Sequence, residues 1–314
     1  HTLERAHPGL GENLVKDGLV WPTRRTCWRG KEVFSRTYDN PGGDGKFPHF
    51  TSIPQARTED YMHEAIDEAG IEIHWDCAVE TVESSPDGVT VETSDGREWE
   101  TPYLVGADGG GSTVRDEIGA EFEGDQSENS FIIADVDEID DEDEQWPLER
   151  LFHYDDPRAG GRNVMLVPFT GGWRLDIQCV EGDDPDELVT DEKMQEFVSE
   201  IMGEQYADNV SWVSSYKFLQ VMADTFIDEN RRVLLAGEAA HLLAPFGARG
   251  MNSGVADADE AASAITVAYH AQRDAVARDE VELYAARRER AAEYNLEAAG
   301  TALESLQGDN PATV

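Results

Sequence analysis

The chain has 314 residues, 39% of them hydrophobic, so it can bury a large core and is not a disordered acidic tail. Its 66 acidic residues outnumber 25 Lys and Arg, and the formal charge of −41 makes nucleic acid and anionic membranes poor partners. Only five basic residues are lysines, which is typical of proteins that work in concentrated salt, where surface charge is screened. We expect a high-salt cytoplasm, with an ordinary acidic protein as the alternative.

The first part of the chain is predicted to alternate helices and strands. Residues 1–20 look helical, and a second helix, capped by Thr58, is expected to end near Ala69. Strands are predicted at Glu32–Tyr38, Ile71–Trp75, Ala78–Ser84, Val89–Thr93 and Tyr103–Val105. This order indicates an α/β arrangement with an antiparallel insert.

The middle of the chain has the alternating pattern of an antiparallel sheet, which indicates a second lobe at 126–224. The predicted elements are the strands Ser130–Val136, Arg150–Tyr154, Asn163–Phe169 and Trp173–Val180, the helix Asp191–Met202 and a strand pair within Val210–Leu219. The acidic run at 139–144 is interpreted as a solvated surface segment.

The last part returns to α/β. A short buried strand at Arg232–Ala236 leads through a Gly-rich turn into a long helix at Gly250–Ala271, and a final helix covers Glu280–Leu306. The residues 1–125 and 225–314 are therefore predicted to form one discontinuous domain.

Other chemistries find little support in the residue pattern. The three cysteines, Cys27, Cys77 and Cys179, form no CxxC, and the histidines form no HExxH, so we predict no disulfide framework and no metal. No GxSxG points to a hydrolase, and no apolar run approaches the ~20 residues of a membrane span.

The first motif, GADGGGSTVR at 106–115, follows an apolar strand directly. A strand that ends in glycines and opens a helix offers free backbone N–H groups to a phosphate or nucleotide hydroxyl. Asp108 could accept hydrogen bonds, Ser112 can cap the helix, and Arg115 can pair with Asp108 or reach a phosphate. A purely structural turn capped by Ser112 stays open as the alternative.

The second motif, RVLLAGEAAHLLAPFGARGMNSGVADA at 232–258, places Gly237 and Glu238 after a buried strand, where open α/β sheets bind ligands. Glu238 could accept from a sugar hydroxyl, while Pro245 and Gly247 let a flat ring approach the backbone. Gly250, Met251 and the helix that follows would present N–H groups and a positive dipole end, which stabilise negative charge on a bound ring.

These two runs resemble the "DG" and "GD" motifs of the FAD-dependent aromatic hydroxylases, the class A flavoprotein monooxygenases. Further similarity to the branch that contains 3-(3-hydroxyphenyl)propionate hydroxylase lies at Ser130–Asp135, Gly172–Gln178, Trp212–Tyr216 and Phe246–Gly250. The resemblance implies a Rossmann-like FAD/NAD(P)-binding layered fold with an inserted antiparallel β-sheet substrate domain, as in p-hydroxybenzoate hydroxylase.

The resemblance also implies an activity. NADH or NADPH would reduce FAD, O2 would form a flavin C4a-hydroperoxide, and that species would hydroxylate a small phenolic or aromatic compound. The oligomeric state stays open, with a homodimer as one option.

By position in the family motifs, several residues are implied to bind the cofactor: Gln55, Asp108, Gly237, Glu238, Pro245, Gly247, Gly250, Met251 and Asn252. The backbone at 250–252 would hold the flavin N1/O2 edge, and Glu238 stands where the family uses Asp. Pro245 and Arg249 are candidates for the reaction site, because the Arg249 guanidinium could meet a substrate carboxylate or instead make a salt bridge at the helix end. His241 is interpreted as a structural histidine behind the site.

The family opens with a strand and a GxGxxG turn, which this chain does not show. Gly9-Leu-Gly11 has no apolar strand before it and is not expected to bind a dinucleotide. We therefore expect an N-terminally truncated chain with weakened FAD affinity. An isoprenoid reductase or epoxidase, which shares both motifs, and an inactive flavoprotein fragment are the alternatives.

Overall fold

A computed structural model describes residues 1–140, 145–245 and 247–307, and at 126–129, 302, 303 and 305–307 it describes the backbone alone. The helices in these ranges are α1 (Thr2–Ala6), α2 (Leu10–Asp17), α3 (Gln55–Glu68), α4 (Thr113–Glu117), α5 (Pro185–Leu188), α6 (Asp191–Met202), α7 (Arg249–His270) and α8 (Asp274–Gln307).

The strands belong to three sheets. They are β1 (Thr23–Trp28), β2 (Lys31–Thr37), β3 (Val79–Ser85), β4 (Gly88–Thr93), β5 (Glu98–Thr101), β6 (Leu104–Gly106), β7 (Phe122–Asp137), β8 (Glu149–Asp156), β9 (Arg162–Phe169), β10 (Gly172–Gln178), β11 (Val210–Ala223), β12 (Val233–Leu235) and β13 (His241–Leu242). The sheet orders are β13-β11-β7-β10-β9-β8-β1-β2, β12-β6 and β3-β4-β5.

The eight-stranded sheet is mixed, with antiparallel pairs throughout except at one position. β1 runs parallel to β8, with Thr23 opposite Glu149, while its other strand pairs are antiparallel. The Arg25 guanidinium reaches across this parallel pair and donates two hydrogen bonds to the Glu149 carboxylate, each at 2.9 Å, besides one to Glu32. Two strands of this sheet therefore come from residues 23–37, outside the range 126–224 predicted for the second lobe.

The two faces of the large sheet have different surroundings because side chains alternate along a strand. On β10, Trp173, Leu175 and Ile177 are fully buried in a core shared with α6. The opposite face carries Arg174 and Asp176 on the same strand, and it looks toward α8 and the loop that follows β13. This second face borders the site described below.

The remaining elements form a second core. β6 and β12 pair in parallel, the three-stranded sheet packs beside them, and α7 and α8 pack against each other and cover the buried residues of β12. The hydroxyl of Tyr284 on α8 donates to the carbonyl of Leu235 at 2.5 Å, which ties the last helix to the end of β12. The carboxyl end of β12 is thus held in place by packing from α8.

Several predicted elements are confirmed, and two are wrong in detail. Helix 191–202 is found at its predicted bounds, and the helix predicted from Gly250 begins at Arg249. Thr58 is not a helix cap: α3 begins at Gln55, and the Thr58 hydroxyl bonds the Pro54 carbonyl inside the helix. The strand pair predicted within 210–219 is a single strand, β11.

The strand predicted at Ile71–Trp75 is not formed. These residues have no regular structure, and the side chains of Ile71 and Trp75 are 60% and 67% exposed. A strand is stable only when a neighbour satisfies its backbone groups, and no described strand pairs with this segment, although His74 contacts the side chain of Trp99 on β5. The alternating pattern alone could not supply that partner.

Two further observations concern the chain as a whole. Among the helices that the structure describes, none combines the length and the apolar character that crossing a bilayer requires. The predicted acidic surface run at 139–144 lies largely outside the described residues, because positions 141–144 are not among them.

Candidate functional site

Two loops meet at one edge of the small parallel sheet. β6 and β12 run side by side with Leu104 opposite Val233 and Gly106 opposite Leu235. Parallel strands place their carboxyl ends together, and this edge is where open α/β sheets bind ligands. The loop after β6, residues 107–112, and the loop after β12, residues 236–248, therefore lie next to each other.

Asp108 organises the first loop. Its Oδ1 accepts from the Ser112 hydroxyl at 2.5 Å, and its Oδ2 accepts from the Val114 amide at 3.1 Å. The Ser112 hydroxyl in turn accepts from the Arg115 amide at 2.9 Å, so Ser112 is the predicted cap of α4. Both carboxylate oxygens of Asp108 thus serve the start of α4, while the side chain stays exposed at the loop surface. Its contact with a nucleotide stays a prediction.

Arg115 joins the two loops and does not pair with Asp108, contrary to one of its predicted roles. The buried guanidinium donates to the Gly110 carbonyl at 3.0 Å and to the Ala239 carbonyl at 3.5 Å. It also stacks over the Phe122 ring, with Cζ 3.8 Å from the ring centroid. A cation held by carbonyls and an aromatic face fixes the distance between the loops and is unavailable to a phosphate.

A buried carboxylate that the sequence analysis missed supports the second loop. Asp257 on α7 is fully buried, and its Oδ2 accepts from the Gly237 amide at 3.0 Å and from His241 Nε2 at 2.7 Å. Its Oδ1 accepts from Arg288 Nε on α8 at 2.6 Å. The interpretation of His241 as a structural residue agrees with this contact.

The charge state of Asp257 follows from these partners. Burial acts to raise the pKa of Asp257, but the hydrogen bonds with His241, Arg288 and the Gly237 amide outweigh it and lower the pKa. The carboxylate is therefore anionic, and His241 Nε2 carries the hydrogen that it donates. The sequence did offer one signal for this role of Asp257, namely an acidic residue among the small residues of a helix that is expected to be packed. A buried acid needs hydrogen-bond or ion-pair partners elsewhere in the fold.

Glu238 has no partner of this kind. Its side chain is exposed at the carboxyl end of β12, and it makes no hydrogen bond or ion pair within the described part of the chain. Glu238 lies close enough to Tyr216 on β11 to affect its ionisation: burial and the charge of Glu238 both raise the pKa of the Tyr216 phenol. Glu238 is thus a free acceptor between the two loops and the large sheet.

The N-terminus of α7 is open. The chain turns through Gly247 and Ala248 with φ of +88° and +53°, and no side chain caps the helix. A side chain at Gly250 would meet nothing within 4 Å, and Met251 is 58% exposed. The side-chain Nδ2 of Asn252 donates to the Ala248 carbonyl at 2.7 Å, which stabilises the turn. The first N–H groups of a 22-residue helix therefore face open space.

Other predicted residues are placed as follows. Pro245 is exposed at the tip of this loop, and Phe246 lies outside the described residues. Arg249 donates to the Asn295 side chain at 2.8 Å, and it lines a cleft of about 340 Å³ between α7 and α8. Its guanidinium is thus anchored to α8 by an amide, without the salt bridge considered for it.

Gln55, which the resemblance implies as a cofactor-binding residue, lies at the start of a helix. It is the first residue of α3, and its amide donates to the Glu59 carboxylate at 2.7 Å. Within residues 1–140, 145–245 and 247–307, no three His, Cys, Asp or Glu side chains come close enough together to hold a metal ion. The cysteines of this part are free thiols.

These features define a class of protein: an α/β fold whose paired loops and open helix end suit a nucleotide-containing cofactor. The FAD binding domain family matches residues 5–299, and the chain belongs to this family.

Named relatives agree with this assignment. The chain is 30% identical to 6-methylpretetramide 4-monooxygenase from Streptomyces rimosus over 82% of this chain and 46% of that protein. It is 28% identical to 3-(3-hydroxy-phenyl)propionate/3-hydroxycinnamic acid hydroxylase from Paraburkholderia xenovorans over 68% of this chain and 35% of that one. The chain thus spans about half or less of the length of these relatives.

The fold is shared with solved flavoprotein structures. Against p-nitrophenol 4-monooxygenase from Pseudomonas putida the TM-score is 0.79, at 24% identity, covering 99% of this chain and 78% of the other. At this identity the likeness concerns the fold, and it confirms the predicted α/β architecture of the hydroxylase type.

The residues present fit one end of FAD. The uncapped α7 terminus, the open space at Gly250 and the unpaired Glu238 carboxylate offer donors and an acceptor of the kind that a flavin ring and a ribityl chain need. The run Gly9–Gly11 forms the start of α2, with Gly9 just before the helix, and it follows α1 and not a strand, which agrees with its rejection as a dinucleotide turn. The described site therefore suits the isoalloxazine end.

Proposed function

We propose that this protein is an FAD-dependent monooxygenase that hydroxylates a phenolic or aromatic compound with NADH or NADPH and O2. The observation that carries the proposal is the open α7 terminus beside Glu238 and Pro245, in a chain of the FAD binding domain family. The relatives' names, monooxygenase and hydroxylase, favour this activity over an isoprenoid reductase.

Each element of the site has a role in this proposal. Bound FAD, once reduced by a nicotinamide, supplies the chemistry that activates O2 and delivers one oxygen atom to the ring. The N–H groups of Gly250 and Met251 stabilise negative charge on the pyrimidine side of the flavin, since the helix end carries about half a positive charge. Glu238 accepts from ribityl hydroxyls, and Pro245 packs on the ring.

Substituting Met251 tests the cofactor site. Met251→Pro removes one N–H in the first helical turn, where proline is tolerated, and Met251→Ala is the matched control that keeps it. We expect the proline variant to bind FAD at least about tenfold more weakly, since a charge-assisted hydrogen bond contributes ~1.5–3 kcal/mol. Flavin fluorescence titration measures the affinity, and circular dichroism checks the helix. Equal affinities in both folded variants would contradict the site.

Turnover tests the reaction itself. Oxygen uptake with FAD, NADH or NADPH and a set of simple phenols should give a product heavier by one oxygen atom, detected by mass spectrometry. A flavin-bound protein that consumes no O2 with any phenol, or that reduces prenyl chains instead, would reject the proposed activity.

We further propose a high-salt cytoplasm as the working environment, which the charge of −41 supports. The same charge repels nucleic acids and anionic membranes, so a small aromatic compound and O2 are the proposed partners. We propose a homodimer as the oligomeric state to be tested, and light scattering in molar KCl distinguishes it from a monomer.

A further inference from the structure

The second face of the large sheet holds two ionisable groups, Asp176 and Arg150, that form no ion pair with each other or with any other described side chain. Asp176 on β10 has a buried Oδ1 without a hydrogen-bond partner in the described structure. Arg150 on β8 forms no ion pair with any described carboxylate, and its one hydrogen bond goes to the Met165 sulfur at 3.5 Å. Leaving such groups unpaired is costly, because a buried ion loses most of its hydration.

Arg150 lacks an ion-pair partner among the described residues, although the protein is rich in carboxylates. With 66 carboxylates available, other arginines of this sheet are paired: Arg25 with Glu149, Arg162 with Asp183 and Arg174 with Asp135. Burial lowers the pKa of Arg150, although a guanidinium remains charged at neutral pH. An unpaired guanidinium in this setting is suited to an anion that comes from outside the chain.

Both groups belong to one face and lie near each other. Asp176 is opposite Met165 in the β9–β10 register, and Met165 is opposite Phe152 on β8, two residues from Arg150. Strands two apart lie about 10 Å from each other, so long side chains on them can reach the two ends of a single aromatic ring. Phe152 and Tyr154 make an edge-to-face pair there, with ring centroids 4.4 Å apart.

This face leads to the proposed flavin loop. Met165 packs against a cluster that includes Phe131, Phe218 and Ala244, and Ala244 directly precedes Pro245. Met165 accepts a hydrogen bond from Arg150 and also packs against this cluster, so it connects Arg150 to the loop where the flavin ring is expected. A ring held at Asp176 and Arg150 would lie on the sheet side of that loop.

We propose that Arg150 and Asp176 recognise a small aromatic acid, in which Arg150 binds the carboxylate and Asp176 hydrogen-bonds the ring hydroxyl. This inference extends the proposed function by naming its substrate class. Burial raises the pKa of Asp176 to about 7, so near neutral pH its carboxyl can accept or donate in that hydrogen bond.

The test uses ligand binding to the full chain, with and without FAD. The probes are 3-hydroxybenzoate, the neutral 3-hydroxybenzamide and the hydroxyl-blocked 3-methoxybenzoate, followed by saturation-transfer NMR in molar KCl. We expect 3-hydroxybenzoate to bind at least tenfold more tightly than either analogue. Arg150→Met should remove the preference for the acid over the amide, Arg150→Lys should keep part of it, and Asp176→Asn should reduce the preference for hydroxyl over methoxy.

Arg36→Gln is the matched control, because it removes one exposed positive charge from the edge strand of the same sheet. It should leave all affinities unchanged. Equal binding of acid and amide by the unmodified chain, no binding of any probe, or an acid preference that survives in folded Arg150→Met would overturn the inference. If FAD binds while the acid preference is absent, this inference alone fails; if the preference is present but flavin never binds, the proposed function fails instead.

Discussion

Asp257 shows how much a single buried residue controls at this site. It holds the Gly237 amide of one loop, His241 of a neighbouring strand and Arg288 of α8 at the same time. It touches no predicted cofactor atom, so it acts as a positioning residue for the loop that carries Glu238. The other ring nitrogen of His241 is buried and has no hydrogen-bond partner within the described part of the chain, so the ring depends on its contact with Asp257.

Replacing Asp257 should therefore destabilise the protein strongly. Asp257→Asn leaves Arg288 buried without its counterion, and breaking a buried ion pair costs ~3–5 kcal/mol. Asp259→Asn is the control on the same helix, since Asp259 pairs with Arg5 at the surface and should cost less than about 1 kcal/mol. Denaturant titration in molar KCl measures both, and equal unfolding free energies would show that the buried network contributes nothing.

Asp176 should affect stability in a pH-dependent way. Its pKa in the folded protein is about 7, above the ordinary value of 3.8, so folding favours the neutral acid. The stabilisation relative to the unfolded chain is fully present below about pH 4 and is lost as pH rises through 7.

Asp176→Asn removes that pH dependence. We expect it to be nearly neutral at pH 4.5 and to stabilise the fold by about 2–4 kcal/mol at pH 8, as the size of the shift implies. Asp186→Asn, at an exposed helix start, should show no such difference. Thermal unfolding at the two pH values decides it, and an Asn variant that is less stable at pH 8 would contradict the burial of an unpaired carboxyl.

At the scale of elements, the entry to α7 combines an open N-terminus with an unfavourable backbone. Ala248 lies at the helix boundary with φ of +53°, a region that costs a residue with a Cβ about 1 kcal/mol or more. The turn places the N–H groups of Gly250 and Met251 at the open end of α7. The strained backbone at Ala248 therefore lies where a bound group would contact the helix. Such strain is often found at ligand sites.

Glycine at this position should relieve the strain. Ala248→Gly is expected to raise the unfolding free energy by up to about 1 kcal/mol, because glycine adopts positive φ readily. Ala258→Gly, at an exposed site inside the same helix, should instead lower it by about 1 kcal/mol. Opposite signs in denaturant titration support the boundary seen here, and destabilisation by both substitutions would argue against it.

For the whole molecule, charge is the dominant feature. A net charge of −41 on 314 residues repels itself at low ionic strength, and many of the ion pairs lie at the surface, where they contribute little. Screening should therefore stabilise the fold.

The melting temperature should rise steeply with KCl and then level off near 1 M, where the Debye length has fallen to about 3 Å. A general salting-out effect would instead continue to rise with concentration, which makes the shape of the curve the control. A melting temperature that is independent of KCl or falls with it would remove the support for a high-salt environment.

The local elements and the two motifs are readable from the amino-acid sequence alone. Helix 191–202, the capping of α4 by Ser112 and the strand–loop–helix order around Glu238 were all predictable, because periodicity, caps and glycine turns act over a few neighbouring residues. The resemblance to flavoprotein hydroxylases rested on the same runs, and the family match confirms it.

Contacts between residues far apart in the sequence could be found only from the tertiary structure. Asp257 pairs with Arg288 across 31 positions, Arg115 reaches the Ala239 carbonyl across 124 positions, and β1 pairs in parallel with β8, none of which a local pattern encodes. The segment Ile71–Trp75 shows the converse, since a good strand pattern stays irregular without a neighbouring strand. Buried ion pairs and sheet pairing depend on which partner the fold brings within a few ångströms, and that is a property of the whole chain.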